Sequence, residues 1–205
     1  GRGFFVHELP VFSMEDSESA TIFQQAATTA HSHWLGASQM TDAESCASIL
    51  AERSPDWIVV DHYALDAAWE RVLAMSCAKL MVIDDLADRP HACDLLLDQT
   101  HGRKEADYYP RVPLHCRLLC GAKYALLRPE FAALRPYSLQ RRAKPVLREI
   151  IISMGGVDKD NATLDVLGIL RTCPLSVDSR VTVVMGQNAP WLSGVARMAQ
   201  DMPWP

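Results

Sequence analysis

Six short apolar runs constrain this chain more than any other feature, because each stops abruptly at acids, amides or glycines. They lie in "DWIVVDHY" (56–63), "KLMVIDD" (79–85), "CDLLLDQT" (93–100), "CRLLCG" (116–121), "IIISMGG" (150–156) and "SRVTVVMGQN" (179–188). Runs this short, several rich in Val and Ile, are buried strands, not helices. Helical patterns alternate with them. One lies near 16–30 and one near 42–53, the latter opening with Thr41-Asp42-Ala43-Glu44 as its cap. A third, "LDAAWERVLAM", sets Leu65, Ala68, Trp69 and Val72 on one face. A fourth begins at Ala162, Thr163 and Leu164, with Asn161 as its cap. The alternation predicts an α/β protein with a parallel, doubly wound sheet.

The Arg-rich stretch 134–148 contains two prolines and reads as a linker or crossover, with Arg141 and Arg142 candidates for a cleft between domains. A domain boundary is expected near 146, dividing 1–146 from 147–205. The second part is shorter than a usual domain of ~100 residues. The chain opens Gly1-Arg2-Gly3-Phe4-Phe5 without Met and closes at Trp204-Pro205, so a fragment of a longer protein is expected.

Composition excludes some roles. Of 205 residues, 49% are hydrophobic and 22% charged, with net charge −5, which argues against a nucleic-acid surface. No apolar run approaches the ~18–20 residues of a membrane span, and no signal-peptide pattern opens the chain. The six cysteines form no Cys-x-x-Cys pair and fit free thiols in a cytoplasm. His115, Cys116 and Cys120 lack a second ligand pair at zinc spacing. No metal and no cofactor is expected.

Ligands of open parallel sheets bind beyond the carboxyl ends of strands. Those ends here carry Asp61, His62 and Tyr63; Asp84 and Asp85; and Asp98 and Gln99. The second part contributes Gly155, Gly156 and Asp158, then Gly186, Gln187 and Asn188. Two such sheets facing across a cleft would gather these groups around one ligand. Each has an ordinary structural alternative: Asp61 as a helix cap, His62 as a loop histidine, Tyr63 as a packed ring. Adjacent side chains at a strand end diverge, so Asp84 and Asp85 are not expected to chelate one cation. Gly155-Gly156, between a strand and a helix start, suits an anion held by backbone amides, or is only a tight turn.

"HWLGASQMTDA", "PDWIVVDHYALDAAWE", "KLMVIDDLADRPHACDLLLDQ", "LLCGAKYALLRPEFAALR" and "IIISMGGVDKDNAT" occur in this order through most of residues 34–163. Together they resemble the UDP-2,4-diacetamido-2,4,6-trideoxy-β-L-altropyranose hydrolases of pseudaminic acid synthesis. The resemblance implies two Rossmann-like domains of the glycosyltransferase-B type, both truncated here. It implies a metal-independent reaction in which water displaces UDP at the anomeric carbon with inversion. It makes Tyr63 the catalytic residue and Gly155, Gly156, Asp158 and Asn161 nucleotide-binding, and the strand-end residues Asp61, His62, Asp84, Asp85 and Gln99 are then the candidates for binding substrate. The partner is then a UDP-sugar, the protein a cytoplasmic monomer. The family's general-base histidine sits on a Gly-rich turn that would precede Gly1, and His7, His31 and His33 fall outside that motif. The segment closing round the uridine would follow Pro205. Thr100 stands where Asn is more usual. The chain alone is therefore expected to be nearly inactive. A sugar transferase of the same fold and a non-catalytic nucleotide-sugar binding module are the alternatives.

Overall fold

The structure is a computed structural model that describes residues 3–9 and 30–204. The chain divides into two compact units, Gly1–Leu127 and Arg128–Pro205. The helical pattern expected near 16–30 lies outside the described residues.

In the first unit, all four apolar runs become strands: β1 (Trp57–Val60), β2 (Lys79–Ile83), β3 (Leu95–Asp98) and β4 (Arg117–Cys120). They form one parallel sheet in the order β1-β2-β3-β4. Val60 stands opposite Val82, Val82 opposite Leu96, and Leu96 opposite Leu118. These residues share one face, against which helices α1 (Gln39–Leu50) and α2 (Ala67–Leu73) pack. Ala43 and Cys46 come from α1, and Trp69 and Leu73 from α2. Burying side chains such as Leu73, Leu80 and Leu96 contributes roughly 1.5–3 kcal/mol each.

The order is monotonic, and right-handed crossovers then fall on one side of a sheet. The double winding expected from the sequence needs a reversal of strand order that the described strands do not contain. On the opposite face Val59 is 56% exposed and Trp57 49%. Of the crossovers, only that from β1 to β2 carries an α-helix among the described residues.

Both expected helix starts shift. Ser38, not the Thr41–Glu44 segment, caps α1, its side chain accepting from the Thr41 amide at 3.1 Å. Asp42 instead accepts from the Trp69 indole at 2.7 Å, pinning α1 to α2. Asp66 caps α2, accepting from the Ala68 amide at 2.7 Å, so Asp61 is left for the loop. The buried face of α2 runs through Trp69, Glu70 and Leu73, while Ala68 is exposed. Glu70 is a carboxylate at a core position.

The second unit holds α3 (Pro129–Arg142), β5 (Glu149–Ile152), α4 (Ala162–Arg171), β6 (Arg180–Val183) and α5 (Leu192–Gln200). β5 and β6 pair in parallel, and Ile152, Leu167 and Val195 centre a small core with Val183, Met185 and Met198. Most of the Arg-rich stretch read as a linker is helical, because Pro129 occupies the first turn of α3, where a missing N–H costs nothing. Pro136 lies within it. Arg141 and Arg142 stand exposed in its last turn. This helix groups with the second unit, although the expected boundary near 146 set it before the division.

Candidate functional site

Because β1 is buried at Val60 and α2 begins only at Ala67, the intervening loop 61–66 sits at the carboxyl edge of the sheet. Asp61 is exposed there, and Tyr63 is half-buried. The His62 ring turns back on its own loop, Nδ1 accepting from the Ala64 amide at 3.1 Å. Tyr63 lies in an aromatic group that sequence reasoning missed. Its ring centroid is 5.4 Å from His31 and 5.8 Å from Trp34, and His31 and Trp34 are 4.5 Å apart. The Asp85 carboxylate, first as an acceptor available to the phenol, then partial desolvation and the charges of Asp85, Asp61 and Asp84, push the Tyr63 pKa above its ordinary value.

The two acids ending β2 part company. Asp84 continues the inward parity of Leu80 and Val82 and is buried, whereas Asp85 faces out and is exposed. Asp98, in the same parity as Leu96, is buried too, and Gln99 is exposed with its side-chain oxygen accepting from the Leu126 amide at 2.9 Å. Asp84, expected among the substrate-binding residues, lies in a buried polar network, because a strand-end carboxylate pointing into a core must find cations and donors.

That network is dense. Arg89 Nη1 meets Asp84 Oδ1 at 2.8 Å, and the Tyr108 hydroxyl lies 2.7 Å from Asp84 Oδ2 and 2.8 Å from Asp98 Oδ2. Arg103 Nε donates to Asp98 at 2.6 Å. On its far side, His91 Nδ1 is 2.7 Å from Glu70 Oε1, and the Ala92 amide donates to Glu70 Oε2. His91 Nε2 stops 3.8 Å short of Asp84. Burial alone would raise the Asp84 carboxyl. The nearby His91, bonds from Tyr108 and the Ala87 amide, and the charge of Arg89 hold it well below the usual range. Burial opposes protonating His91, but the contacts with Asp84 and Glu70 win and lift its pKa to about 9.

In the second unit, Gly155 has φ +79°, a conformation glycine adopts without strain, and Asp158 and Asn161 also have positive φ. Asn161 occupies the cap position of α4 without a side-chain cap bond. The cap is Asp158, whose oxygens accept from the amides of Ala162 at 2.9 Å and Thr163 at 3.0 Å. Thr163 beside it, and those amides, hold its carboxyl below the usual Asp range. The first amides of α4 are therefore not bare. Those of Gly155, Gly156 and Val157, in the turn itself, donate to no group among the described residues. The Gly156 carbonyl accepts from the Gly186 amide at 3.1 Å, and a Cβ at Gly186 would lie only 2.3 Å from that oxygen. The turns after β5 and β6 are thus in backbone contact.

All six cysteines are free thiols, with Cys116 Sγ 3.6 Å from Cys93 Sγ. Among the described residues no three or more His, Cys, Asp or Glu side chains converge as metal ligands, and no helix is long and apolar enough to cross a membrane.

No family model matches the sequence. The chain is 30% identical over 120 residues, 58% of its own length, to the UDP-2,4-diacetamido-2,4,6-trideoxy-beta-L-altropyranose hydrolase of Campylobacter jejuni. It spans 42% of that relative's length. The similarity, with a parallel α/β sheet of Rossmann-like character, supports a relation to that group of UDP-sugar hydrolases.

Proposed function

We propose that this chain is part of a UDP-sugar hydrolase of the glycosyltransferase-B type, cleaving the anomeric C–O bond of a UDP-linked diacetamido-trideoxy sugar. The products are UDP and a free 2,4-diacetamido-2,4,6-trideoxy-L-altrose for pseudaminic acid synthesis. The two units then belong to its N-terminal and nucleotide-binding Rossmann-like domains, in a cytoplasmic protein. The observation that carries this reading is the place of Tyr63, in the loop after β1 at the carboxyl edge of a parallel sheet, in a chain 30% identical over 120 residues to a UDP-sugar hydrolase. A phenol is a poor base at neutral pH but can fix a water or a sugar hydroxyl by hydrogen bonding.

Asp61, Asp85 and Gln99 are exposed and able to meet the sugar, with His62 shaping the loop. Asp84 acts from beneath. The free amides of Gly155 and Gly156 suit the departing diphosphate, whose charge needs donors at the moment of cleavage. Asp158 organises that turn, since a carboxylate would repel an anion, and Asn161 permits its left-handed bend.

The test uses the native protein containing this chain, with UDP-sugar, EDTA and no acceptor. Stoichiometric UDP and free sugar support a metal-independent hydrolase. Turnover that requires an added acceptor sugar supports a transferase instead, and binding without turnover a non-catalytic module.

A further inference from the structure

We propose that Arg89 and Arg103 are positioning residues: their guanidinium forks, one buried and one partly exposed, hold the two loops that carry Tyr63 and Asp85. The inference rests on the reading of Tyr63 as an acting group. Arg89 sits in a side-chain environment only 5% exposed, between Asp84 and the Tyr63 loop. Its Nε donates to the Leu65 carbonyl at 2.7 Å and its Nη2 to the His62 carbonyl at 3.4 Å. Those carbonyls bracket Tyr63. Arg103 repeats the device on the other loop, Nε on Asp98 at 2.6 Å and Nη2 on the Asp85 carbonyl at 2.6 Å. Tyr108 joins the two anchoring carboxylates, so both forks are referred to one rigid point.

Stability alone does not account for this arrangement. The cost of desolvating a buried ion pair offsets most of its Coulombic gain. What the pairs supply is direction. A guanidinium with one edge on a buried carboxylate presents its remaining donors at fixed angles, and here they reach loop carbonyls of the candidate site. Lysine in either position keeps a positive charge near the carboxylate but cannot span both partners.

The experiment follows the Tyr63 phenol by NMR in the 205-residue chain carrying ring-labelled tyrosine, with Tyr63→Phe for assignment. The groups facing that phenol are Asp85, Asp61 and Asp84, with the rings of His31 and Trp34. In folded Arg89→Lys and Arg103→Lys, Tyr63 should titrate closer to the ordinary tyrosine value than in wild type. In the native protein the same variants should lose about tenfold in kcat with KM held within about twofold. Unchanged Tyr63 titration and unchanged kcat in both folded variants, with only a lower unfolding midpoint, would overturn the proposal and leave both arginines as scaffold. Should Arg89→Lys not fold, the partly exposed Arg103 decides the matter alone. Full turnover by Tyr63→Phe is a different failure: it refutes the function assigned to Tyr63, while the titration still reports whether the arginines position it.

Discussion

Raising the pH should weaken the first unit through His91. Its folded pKa of about 9 lies above the ordinary 6.5, so the His91–Glu70 pair stabilises the fold fully below pH 6.5. That contribution is lost as the pH climbs through about 9. The whole interval corresponds to about 3 kcal/mol at ~1.4 kcal/mol per unit. The geometry argues for less. His91 Nε2 lies 3.8 Å from Asp84, beyond hydrogen-bonding reach, so only the 2.7 Å contact with Glu70 is counted in full. About 1–2 kcal/mol is then expected to disappear between roughly pH 6.5 and 9. Urea denaturation followed by tryptophan fluorescence measures it, Trp69 lying in the same core. His91→Gln, which cannot take up a proton, should be less stable at neutral pH and nearly flat across the window. Wild-type and variant curves running parallel there would refute the reasoning, as would a His91 imidazole titrating at its ordinary value.

Tyr63→Phe in the native protein should lower turnover ~10–100-fold with UDP binding nearly unchanged, checked by steady-state kinetics beside a UDP titration. Gly186→Ala drives a methyl group into the Gly156 carbonyl, so UDP affinity and the stability of the second unit should fall together, as calorimetry and thermal denaturation would show. Asp158→Ala should lower the unfolding midpoint of that unit. Its difference from wild type should shrink as acid protonates the carboxylate, because the depressed pKa of Asp158 stabilises only above its ordinary range. Alkylation followed by peptide mapping should modify Cys116 before Cys93, because Cys93 is buried and Cys116 is only partly so.

The strands were legible because a short β-branched run stopped by polar residues has few other ways to be buried. The helix α3 was not. Its arginines and prolines suggest a linker, yet Pro129 at the first turn is where a helix tolerates proline best. The caps were misread by proximity. Asn161 is next to α4 but bends into the left-handed region, leaving Asp158 to reach forward to two amides. Tyr63 could be placed at the sheet edge from strand and helix alone. The burial of Asp84 could have been read from alternation, since it continues Leu80 and Val82, but its partners could not. Glu70, Arg89, Tyr108 and Arg103 come from four separate segments, and no periodicity links them.

The monotonic strand order also bears on how the first unit reaches its fold. Each strand pairs with the next one in the chain, Trp57 with Lys79, Met81 with Leu95 and Leu95 with Arg117. No pairing in this sheet waits for a distant segment, so loop closure costs little at each step. A chain emerging from the ribosome can add strands one at a time, each covering the exposed edge of the last. The buried charges follow a later schedule. Asp84 emerges before Arg89, and Tyr108 only when β4 is nearly due, so the acids of β2 and β3 stay hydrated until the sheet is almost whole. Every member of the polar network nevertheless precedes β4, so the network can lock before the last strand is added.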